Sequence, residues 1–423
     1  MTTSLEHTAV ARAGSQRRAA RPTLVEAPLL AALRKAGTQH VWADTADVDE
    51  LGALLDTGAG ILREVDGNTA NQPLVAKVVA RYVGAGEPRT WARELEAARA
   101  LPRPELVALV YAILCGRIGN DMAAAFGAGR PWETSLQLHM SLVSEPERAR
   151  RIGRLQYRMA PSGLVKVPFA PDAPDCLLVA RDLERAGIPV NLTSTFSARQ
   201  AVVAALFANV ARTNVFMGRL NQGFEAKLLG EHVDLEAQRA LVRLRREDGV
   251  RTQLIVASLR EWQSLVRVAG CDVFTAPCAV LRGFLEQDEI APEQIESRLE
   301  SSYEDALGVS DEVMARLGPA RIARLWRVEP ELVELLRELR SAHLADGEAL
   351  RRRFEAAGFG DLFHAPTRGE REEIGRDKLP RRDGTLLGQI ALDTHLSLLA
   401  NADFARAQRE IDAERDRHLD GRA

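Results

Sequence analysis

Residues 164–193, LVKVPFAPDAPDCLLVARDLERAGIPVNLT, decide the fold because they contain a predicted strand, a predicted helix and a second predicted strand in direct succession. LVKVP (164–168) and IPVNLT (188–193) are short and rich in β-branched residues, which favours strands. Between them, DCLLVARDLERAG (175–187) has the spacing of an amphipathic helix and ends at Gly187, a residue type that is common at helix ends. This order indicates two parallel strands joined by a helical crossover.

The same alternation of strands and helices continues on both sides of this unit. SARQAVVAALFA (197–208) and LREWQSLVRVAG (259–270) have the spacing of further crossover helices. The other predicted strands are QHVWADT (39–45), ILREVDG (61–67), SLQLHMSL (135–142), RTNVFMG (212–218), QLIVAS (253–258) and CDVFTAP (271–277). Together these strands favour a closed (β/α)8 barrel, a TIM barrel of the α/β class, over an open sheet. No GxGxxG sequence follows the first strand, so a dinucleotide-binding fold is disfavoured.

The chain divides into three predicted regions. Residues 1–24 are small, polar and rich in Arg, so we expect a disordered arm, with a transit peptide as the alternative. Residues 25–330 form the predicted barrel domain. Residues 331–423 have an almost wholly helical and highly charged pattern, and we expect a helical C-terminal extension packed on the barrel.

Composition and charge restrict the classes of function. The 423 residues are 46% hydrophobic and 27% charged, which is typical of a globular protein. The formal net charge of −3 gives no basic field, so we predict neither nucleic acid nor a membrane surface as a partner. We see no apolar run long enough for a membrane-spanning helix and no secretory signal segment. The four cysteines are scattered without a CxxC spacing, which favours a cytoplasmic protein with free thiols.

The candidate site residues lie at the ends of the predicted strands, because the active site of a (β/α)8 barrel forms at the carboxyl ends of its strands. In chain order they are Asp44, Asn71, Gln137, His139, Lys166, Asn191, Thr193, Asn214, Phe216, Arg219, Ser258 and Arg260. No set of His, Cys, Asp and Glu residues among them has the spacing of metal ligands, and we predict no metal and no cofactor.

Lys166 is the most informative candidate because it lies between Val165 and Val167 in an apolar strand. One interpretation is a lysine at a strand edge whose ammonium group reaches solvent. The other is an amine removed from water, whose pKa is low because its charged form is disfavoured. A neutral amine can attack a carbonyl to form a Schiff base, and the iminium then accepts electrons from a breaking carbon–carbon bond.

The acid, amide and threonine candidates fit the same chemistry, and Asp44, Asn191 and Thr193 also have a purely structural interpretation. Asp44 could accept a hydroxyl proton as the carbon–carbon bond breaks, or it could cap a helix. Thr193, Asn71 and Gln137 could hold a water that carries protons during imine formation. Alternatively, Asn191 and Thr193 could satisfy backbone groups at a strand end.

The basic candidates also have both a functional and a structural interpretation. Arg219 and Arg260, with Ser258 as a hydroxyl partner, offer hydrogen-bond donors for a phosphate group. The structural alternative is that both arginines are solvated surface charges. His139, on an alternating strand, is either a hydrogen-bonded core residue or a proton donor or acceptor.

Several of these segments, taken together, resemble one known family, the transaldolases. The matching segments in chain order are WADTAD (42–47), NTANQPLV (68–75), LVKVP (164–168), GIPVNLTSTFSARQA (187–201), NVFMGR (214–219), VASLR (256–260) and GCDVFTAP (270–277). Each motif alone is weak evidence, whereas the ordered set is specific.

The resemblance implies a (β/α)8 barrel whose fourth strand carries the Schiff-base lysine at Lys166. It implies further catalytic positions at Asp44, Asn71, Gln137 and Thr193, and substrate-binding positions at Asn191, Asn214, Phe216, Arg219, Ser258 and Arg260. The implied activity is transfer of a three-carbon dihydroxyacetone unit from a ketose phosphate to an aldose phosphate, as in the pentose phosphate route. Phosphorylated sugars are the implied partners, no cofactor is implied, and a homodimer is compatible with the sequence.

Departures from the family pattern leave the particular reaction open. Gln137 stands where the family has an acid, and a glutamine can orient a water but cannot act as a general acid or base. His139, at the next Asp position of the pattern, is an alternative source of proton chemistry. Fructose 6-phosphate aldolase, a relative that cleaves instead of transferring, is also expected to have glutamine at that position, so an aldolase is the alternative function. Asn214 replaces a serine near the phosphate region, and a specialised sugar-modifying homologue of secondary metabolism is the third hypothesis.

Overall fold

The structure is a computed structural model that describes residues 23–83, 103–127, 129–376, 378–380, 384, 386 and 389–419. Most of the predicted N-terminal arm, residues 1–22, therefore lies outside the described residues. Leu24, the last residue of the predicted arm, forms a short strand with Val25 that pairs with Ile61–Leu62. The prediction of a disordered arm stays a prediction.

Parallel strands close into an eight-stranded barrel, which confirms the predicted (β/α)8 fold. These strands are β1 (His40–Asp44), β2 (Val65–Ala70), β3 (Glu133–Gln137), β4 (Gly163–Pro168), β5 (Val190–Thr193), β6 (Arg212–Phe216), β7 (Gln253–Ala257) and β8 (Val273–Ala276). Each strand pairs with its neighbour in sequence, and β8 pairs with both β7 and β1, which closes the ring. The carboxyl ends of the strands consequently lie at one face of the barrel.

The predicted second strand, residues 61–67, is divided between two elements. Ile61–Leu62 pairs outside the barrel, and the barrel strand β2 begins at Val65. The break falls at Glu64, a buried residue whose carboxylate accepts a hydrogen bond from the backbone N–H of Ala27 at 3.0 Å. This contact with a residue far along the chain is invisible to the apolar pattern that predicted one continuous strand.

The predicted third strand, residues 135–142, is shorter in the structure. Strand β3 ends at Gln137, and Met140–Ser144 forms a 3₁₀ turn. His139 caps this turn, because its ring nitrogen Nδ1 accepts a hydrogen bond from the backbone N–H of Ser141 at 3.1 Å.

Helices surround the barrel and form the region that follows it. The helices of the barrel are α1 (Pro28–Lys35), α2 (Val48–Leu55), α3 (Gln72–Val83), α4 (Arg103–Phe126), α5 (Pro146–Met159), α6 (Asp175–Arg185), α7 (Ala198–Val203), α8 (Met217–Gly223), α9 (Leu229–Asp248), α10 (Gln263–Arg267) and α11 (Cys278–Glu286). After the barrel come α12 (Asp311–Leu317), α13 (Pro319–Ala323), α14 (Pro330–Leu339), α15 (Gly347–Ala356), α16 (Arg368–Ile374) and α17 (Leu392–Leu419). The predicted domain boundary at residue 330 stays a prediction.

The hydrophobic core lies between the barrel strands and the helices around them. Its members include the four cysteines, Cys115, Cys176, Cys271 and Cys278, all buried as free thiols. This agrees with the expectation from their scattered positions in the sequence.

One helix differs from the expectation that the chain contains no long apolar segment. Glu105–Phe126, within α4, is long and apolar enough to span a membrane by length and composition. However, 67% of its most apolar stretch is buried inside the molecule. Gly116 lies so close to Met159 of α5 that a Cβ there would come within 2.8 Å of its terminal methyl carbon. A helix covered by its own chain in this way is typical of a protein core.

The C-terminal helix α17 is fixed to the barrel by a buried ion pair near its first turn. Asp393, 2% exposed, accepts two hydrogen bonds from the fully buried Arg199 guanidinium and one from the Ser197 hydroxyl, each at 2.7 Å. Burial raises the pKa of the Asp393 carboxyl, but Arg199 and Ser197 outweigh it and hold the pKa below its ordinary value. Since Ser197 and Arg199 belong to the FSARQA segment, this segment anchors α17.

We expect Arg199→Ala to lower the free energy of unfolding by about 3–5 kcal/mol, because it leaves the Asp393 carboxylate buried without its partner. Urea-induced unfolding followed by circular dichroism measures this difference. Arg409→Ala, at an exposed position on the same helix, is the control and should stay within about 0.5 kcal/mol of the wild type. Equal, small effects of both substitutions would contradict the anchoring role.

Candidate active site

A cavity of about 340 Å³ opens at the carboxyl ends of the barrel strands. The predicted site residues that line it are Asp44, Asn71, Lys166, Asn214, Phe216, Arg219, Ser258 and Arg260. They come from distant parts of the chain and meet because the barrel brings all strand ends to one face. The predicted residues Gln137, Asn191 and Thr193 lie in the barrel interior beside β4 and not in the cavity wall.

Lys166 lies on β4 inside the closed barrel and is 2% exposed. This burial excludes the interpretation of Lys166 as an edge lysine that reaches solvent. Removal from water lowers the pKa of the Lys166 amine to about 8, although the negative charge of Asp44 opposes the fall. A substantial fraction of the amine is therefore neutral near physiological pH, as a nucleophilic amine requires.

Gln137 and Asn191 flank Lys166 on the neighbouring strands β3 and β5, because both residues pair with it in register. Asn191 donates from Nδ2 to the Ser135 hydroxyl at 2.8 Å. The side-chain oxygens of Gln137, Asn191 and Thr193 are buried and have no hydrogen-bond partner among the residues that the structure describes. Buried polar atoms of this kind usually have a protein, water or ligand partner, so the interior beside Lys166 is suited to a polar ligand or water.

Asp44 ends β1 at the cavity wall, and the Thr69 hydroxyl of the adjacent strand β2 donates a hydrogen bond to its carboxylate. Thr69 is also 3.0 Å from the hydroxyl of Thr275 on β8. Asp44 is not a helix cap, because the cap of α2 is Asp47, which accepts hydrogen bonds from its first turn. Thr69 therefore holds the Asp44 carboxylate in the cavity, where its negative charge acts to raise the pKa of Lys166.

Two amide side chains, Asn71 and Asn214, also line the cavity. Asn71 follows β2, and its Oδ1 accepts a hydrogen bond from the Leu74 N–H at 3.1 Å, which fixes the side chain at the start of α3. Asn214, on β6, is 1% exposed, and neither amide atom has a hydrogen-bond partner within the described part of the chain. Asn214 is therefore available to a ligand in the cavity.

The predicted phosphate-binding residues come from the segments that follow β6 and β7. Arg219 and Arg260 both line the cavity, and the hydroxyl of Ser258 is buried without a hydrogen-bond partner among the described residues. The first turn of α8 approaches the segment after β7 closely, because a Cβ on Gly218 would lie 2.0 Å from the Ser258 carbonyl oxygen. Glycine at this position therefore allows Arg219 and Arg260 to reach the same part of the cavity.

The Arg219 guanidinium is partly removed from water. Burial lowers the pKa of Arg219, the Asp403 carboxylate opposes the fall, and the nearby charge of Arg260 lowers it further. Like charges brought together in this way are stabilised when an anion binds between them.

His139 lies outside the cavity wall and contacts the C-terminal helix instead. Its Nε2 is 3.2 Å from both carboxylate oxygens of Asp412 on α17, and its Nδ1 is 2.8 Å from the Ser141 hydroxyl. The ring also packs edge-on against Tyr111 at a centroid distance of 5.5 Å. This geometry supports the hydrogen-bonded structural interpretation of His139 over a role in proton chemistry.

Sequence reasoning missed several residues of the cavity wall: Thr69, Lys77, Thr275 and Phe404. Thr69 lies two residues before Asn71 on β2, and Thr275 lies on β8, so strand positions could have indicated both. Lys77, an exposed residue of α3, lies one helical turn after Leu74, which also lines the cavity. No local signal indicates Phe404, because it comes from α17.

The cavity supplies an amine, a carboxylate, amides and guanidinium groups, which together suit a polar, anionic, carbonyl-containing ligand. Among the residues that the structure describes, no three or more His, Cys, Asp and Glu side chains are grouped so that they could hold a metal ion. The described residues offer an amine and a carboxylate in the same cavity.

The fold and the cavity define the class of protein as an aldolase-type (β/α)8 barrel enzyme. Residues 41–318 match the model of the family described as Transaldolase/Fructose-6-phosphate aldolase, and the chain belongs to this family.

Curated relatives agree with this assignment at low identity. The chain is 29% identical over 245 residues to a probable transaldolase of Rhodospirillum centenum, an alignment that covers 57% of this chain and 81% of the relative. It is 27% identical over 247 residues to a probable transaldolase of Hyphomonas neptunium, with 58% and 88% covered. It is 31% identical over 166 residues to a probable transaldolase of Desulfatibacillum aliphaticivorans, with 36% and 72% covered.

We expect Lys166→Met to stabilise the protein at neutral pH. The lysine pKa falls from 10.5 to about 8 on folding, so between these values the unfolded state binds more protons and wild-type stability rises with pH. Well below pH 8 the amine is almost fully charged in both states, and the variant, which avoids burying that charge, should be more stable by about 3 kcal/mol.

Chemical denaturation of both proteins between pH 6 and pH 11 measures this difference, where the two pH limits are rough bounds around the two pKa values. Lys35→Met, at an exposed position of α1, is the control and should not change the pH dependence. A Lys166→Met variant with the same pH dependence as the wild type would show that the amine is solvated.

Proposed function

We propose that the protein is a transaldolase-type transferase that moves a three-carbon dihydroxyacetone unit from a ketose phosphate to an aldose phosphate through a Schiff base on Lys166. The observation that carries the proposal is a buried amine with a lowered pKa in the same cavity as the Asp44 carboxylate. Membership of the Transaldolase/Fructose-6-phosphate aldolase family supports it.

The first half of the reaction begins when neutral Lys166 attacks the ketose carbonyl carbon. Loss of water from the adduct gives an iminium, which withdraws electrons from the neighbouring carbon–carbon bond. Asp44 accepts the proton of the hydroxyl group on the departing side, the bond breaks, and the aldehyde leaves. The electron pair of that bond remains on the three-carbon fragment as an enamine attached to Lys166.

The second half of the reaction reverses these steps with another aldehyde. The enamine carbon attacks the carbonyl carbon of the acceptor, and Asp44 returns its proton to the new alkoxide. Water then hydrolyses the iminium and releases the longer ketose. Transfer requires that the enamine is kept from protonation, and the low exposure of Lys166 supports this part of the proposal.

The cationic end of the cavity suits the phosphate group of both substrates. Arg219 and Arg260 offer guanidinium donors, and the unpartnered Ser258 hydroxyl offers another donor. A common phosphate site would place donor and acceptor in the same orientation relative to Lys166, which the two half-reactions require.

A second candidate function, cleavage by an aldolase of the fructose 6-phosphate type, is favoured by Gln137. This residue lies beside Lys166 in register, where an amide can orient a water but supplies no titrating group. In the cleavage reaction the enamine is protonated by water and hydrolysed, and free dihydroxyacetone is released.

Reduction with borohydride in the presence of fructose 6-phosphate should attach a three-carbon or six-carbon unit to Lys166. The reason is that borohydride converts the iminium to a stable secondary amine at the nitrogen that formed it. Peptide mapping by mass spectrometry identifies the modified residue. Lys166→Met should lose both the adduct and turnover, whereas Lys35→Met, far from the cavity, should retain both. An adduct on another lysine, or turnover by Lys166→Met, would contradict the mechanism.

We expect Gln137→Glu to raise the ratio of transfer to free dihydroxyacetone release by about tenfold, because it removes the amide that can orient a water for protonating the enamine and restores the acid of the family pattern. The new charge should also raise the pKa of Lys166 and move the acidic limb of the pH–rate profile to higher pH.

Assays of fructose 6-phosphate conversion with and without an acceptor aldehyde give this ratio. Gln137→Met, which removes the amide without adding a charge, is the matched control. An unchanged ratio in Gln137→Glu would remove Gln137 from the choice between the two reactions.

A further inference from the structure

We infer that helix α17 completes the phosphate subsite, with Asp403 and Phe404 as positioning residues that hold the Arg219 guanidinium in place. This inference rests on the proposed function and adds residues from outside the barrel to its substrate site. It follows from the contacts of Arg219, which are made on one side with the barrel and on the other side with α17.

Aromatic rings hold the guanidinium from two directions. The central carbon of the Arg219 guanidinium is 5.7 Å from the centroid of Phe216 on β6 and 5.9 Å from the centroid of Phe404 on α17. The two rings are themselves in edge-to-face contact, with centroids 6.4 Å apart and planes at 88°. Each ring within about 6 Å attracts the cation, and together they restrict the rotation of a long, flexible side chain.

A hydrogen bond further restricts the orientation of the Arg219 guanidinium. Nη1 of Arg219 donates to Oδ2 of Asp403 at 3.0 Å, and both side chains are only partly exposed, at 27% and 30%. A guanidinium has five N–H donors in a rigid plane, so one bond to Asp403 sets the direction of the others. The N–H groups of Arg219 that do not bind Asp403 can donate hydrogen bonds to a ligand in the cavity that Arg219 lines.

The negative charge of Asp403 does not cancel the attraction of the subsite for an anion. Arg406, one turn farther along α17, lies 3.3 Å from the other carboxylate oxygen of Asp403. Arg219, Arg260 and Lys77 all line the cavity and bring positive charge to it. The carboxylate is thus shared between two arginines, and the field in the cavity stays positive.

The anchors of α17 explain how a helix so distant in sequence can hold Arg219 accurately. The Asp393–Arg199 ion pair fixes the first turn of the helix. Near its other end, Asp412 contacts His139, and Gln408 lies 3.4 Å from the Gln72 amide nitrogen. Asp403 and Phe404 lie between these anchors, where Phe404 lines the cavity and Asp403 accepts a hydrogen bond from Arg219.

An opposing hypothesis makes a different prediction. If Asp403 competed with phosphate for Arg219, neutralising it would strengthen the binding of phosphate. If Asp403 positions Arg219, neutralising it releases the guanidinium and weakens the binding of phosphate. The sign of the change therefore decides between the two hypotheses.

Isothermal titration calorimetry with inorganic phosphate tests the inference on the full-length chain without assuming any reaction. We expect Asp403→Asn to weaken phosphate binding about tenfold, the loss expected for one charge-assisted hydrogen bond. Glu410→Gln, which removes the same charge at an exposed position of α17, is the matched control and should bind phosphate like the wild type. Phe404→Leu, which keeps an apolar side chain but removes the ring, should also weaken binding.

Kinetics with fructose 6-phosphate supply a readout that a general loss of structure would not give. Asp403→Asn should raise KM about tenfold with little change in kcat, and borohydride trapping with unphosphorylated dihydroxyacetone should be much less affected. Unchanged or tighter phosphate binding in Asp403→Asn, or no phosphate binding by the wild type, would overturn the inference. Failure of the wild type to form any Lys166 adduct would instead overturn the proposed function, and the calorimetric comparison would still decide the role of Asp403.

Discussion

The removal of one amine from water is the constraint on which the site depends. Lys166 is almost completely buried, and burial lowers its pKa to about 8. A closed barrel can hold such a group because its interior contains polar side chains, Gln137 and Asn191 among them, that lie in register beside the lysine. The same burial that disfavours the charged form of the amine leaves more of it neutral, which is the form that can act as a nucleophile. Stability and reactivity are therefore opposed at this residue, as is common at functional sites.

Parallel pairing converts distant sequence positions into one cavity. Asp44 on β1, Lys166 on β4 and Asn214 on β6 are far apart along the chain, yet all lie at the same face because each strand ends there. Close backbone approach refines the arrangement, since Gly218 lets the first turn of α8 approach the segment after β7 and brings Arg219 near Arg260. Most of the site could therefore be predicted once the strands were placed. Gln137, Asn191 and Thr193 were assigned to the right strands, but only the three-dimensional arrangement puts them behind the cavity wall.

The C-terminal helix is a second organising element, and its anchors belong to segments that the sequence also marks. Ser197 and Arg199 follow β5 and bind Asp393, and His139, considered from the sequence as a source of protons, binds Asp412 instead. A departure from the family pattern at His139 is thus explained by a contact with α17 and not by chemistry at the cavity. By contrast, Gln137 makes no such contact with α17 among the described residues. It lies beside Lys166, so in the proposed function it is the residue on which the choice between transfer and cleavage depends.

The sequence by itself determined the barrel, the position of Lys166 on its fourth strand and the residues at the strand ends, because these depend on local periodicity and on the fixed geometry of parallel strands. Only the tertiary structure decided that residues 61–67 divide at Glu64, that α4 is covered by the barrel domain, and that Asp403 and Phe404 reach Arg219. Each of these depends on a contact between elements far apart in the chain, and no local pattern encodes which distant surface will cover a given residue. The burial of Lys166 depends on both the sequence and the tertiary structure. Its apolar neighbours in the sequence suggested burial, and the closure of the barrel produced it.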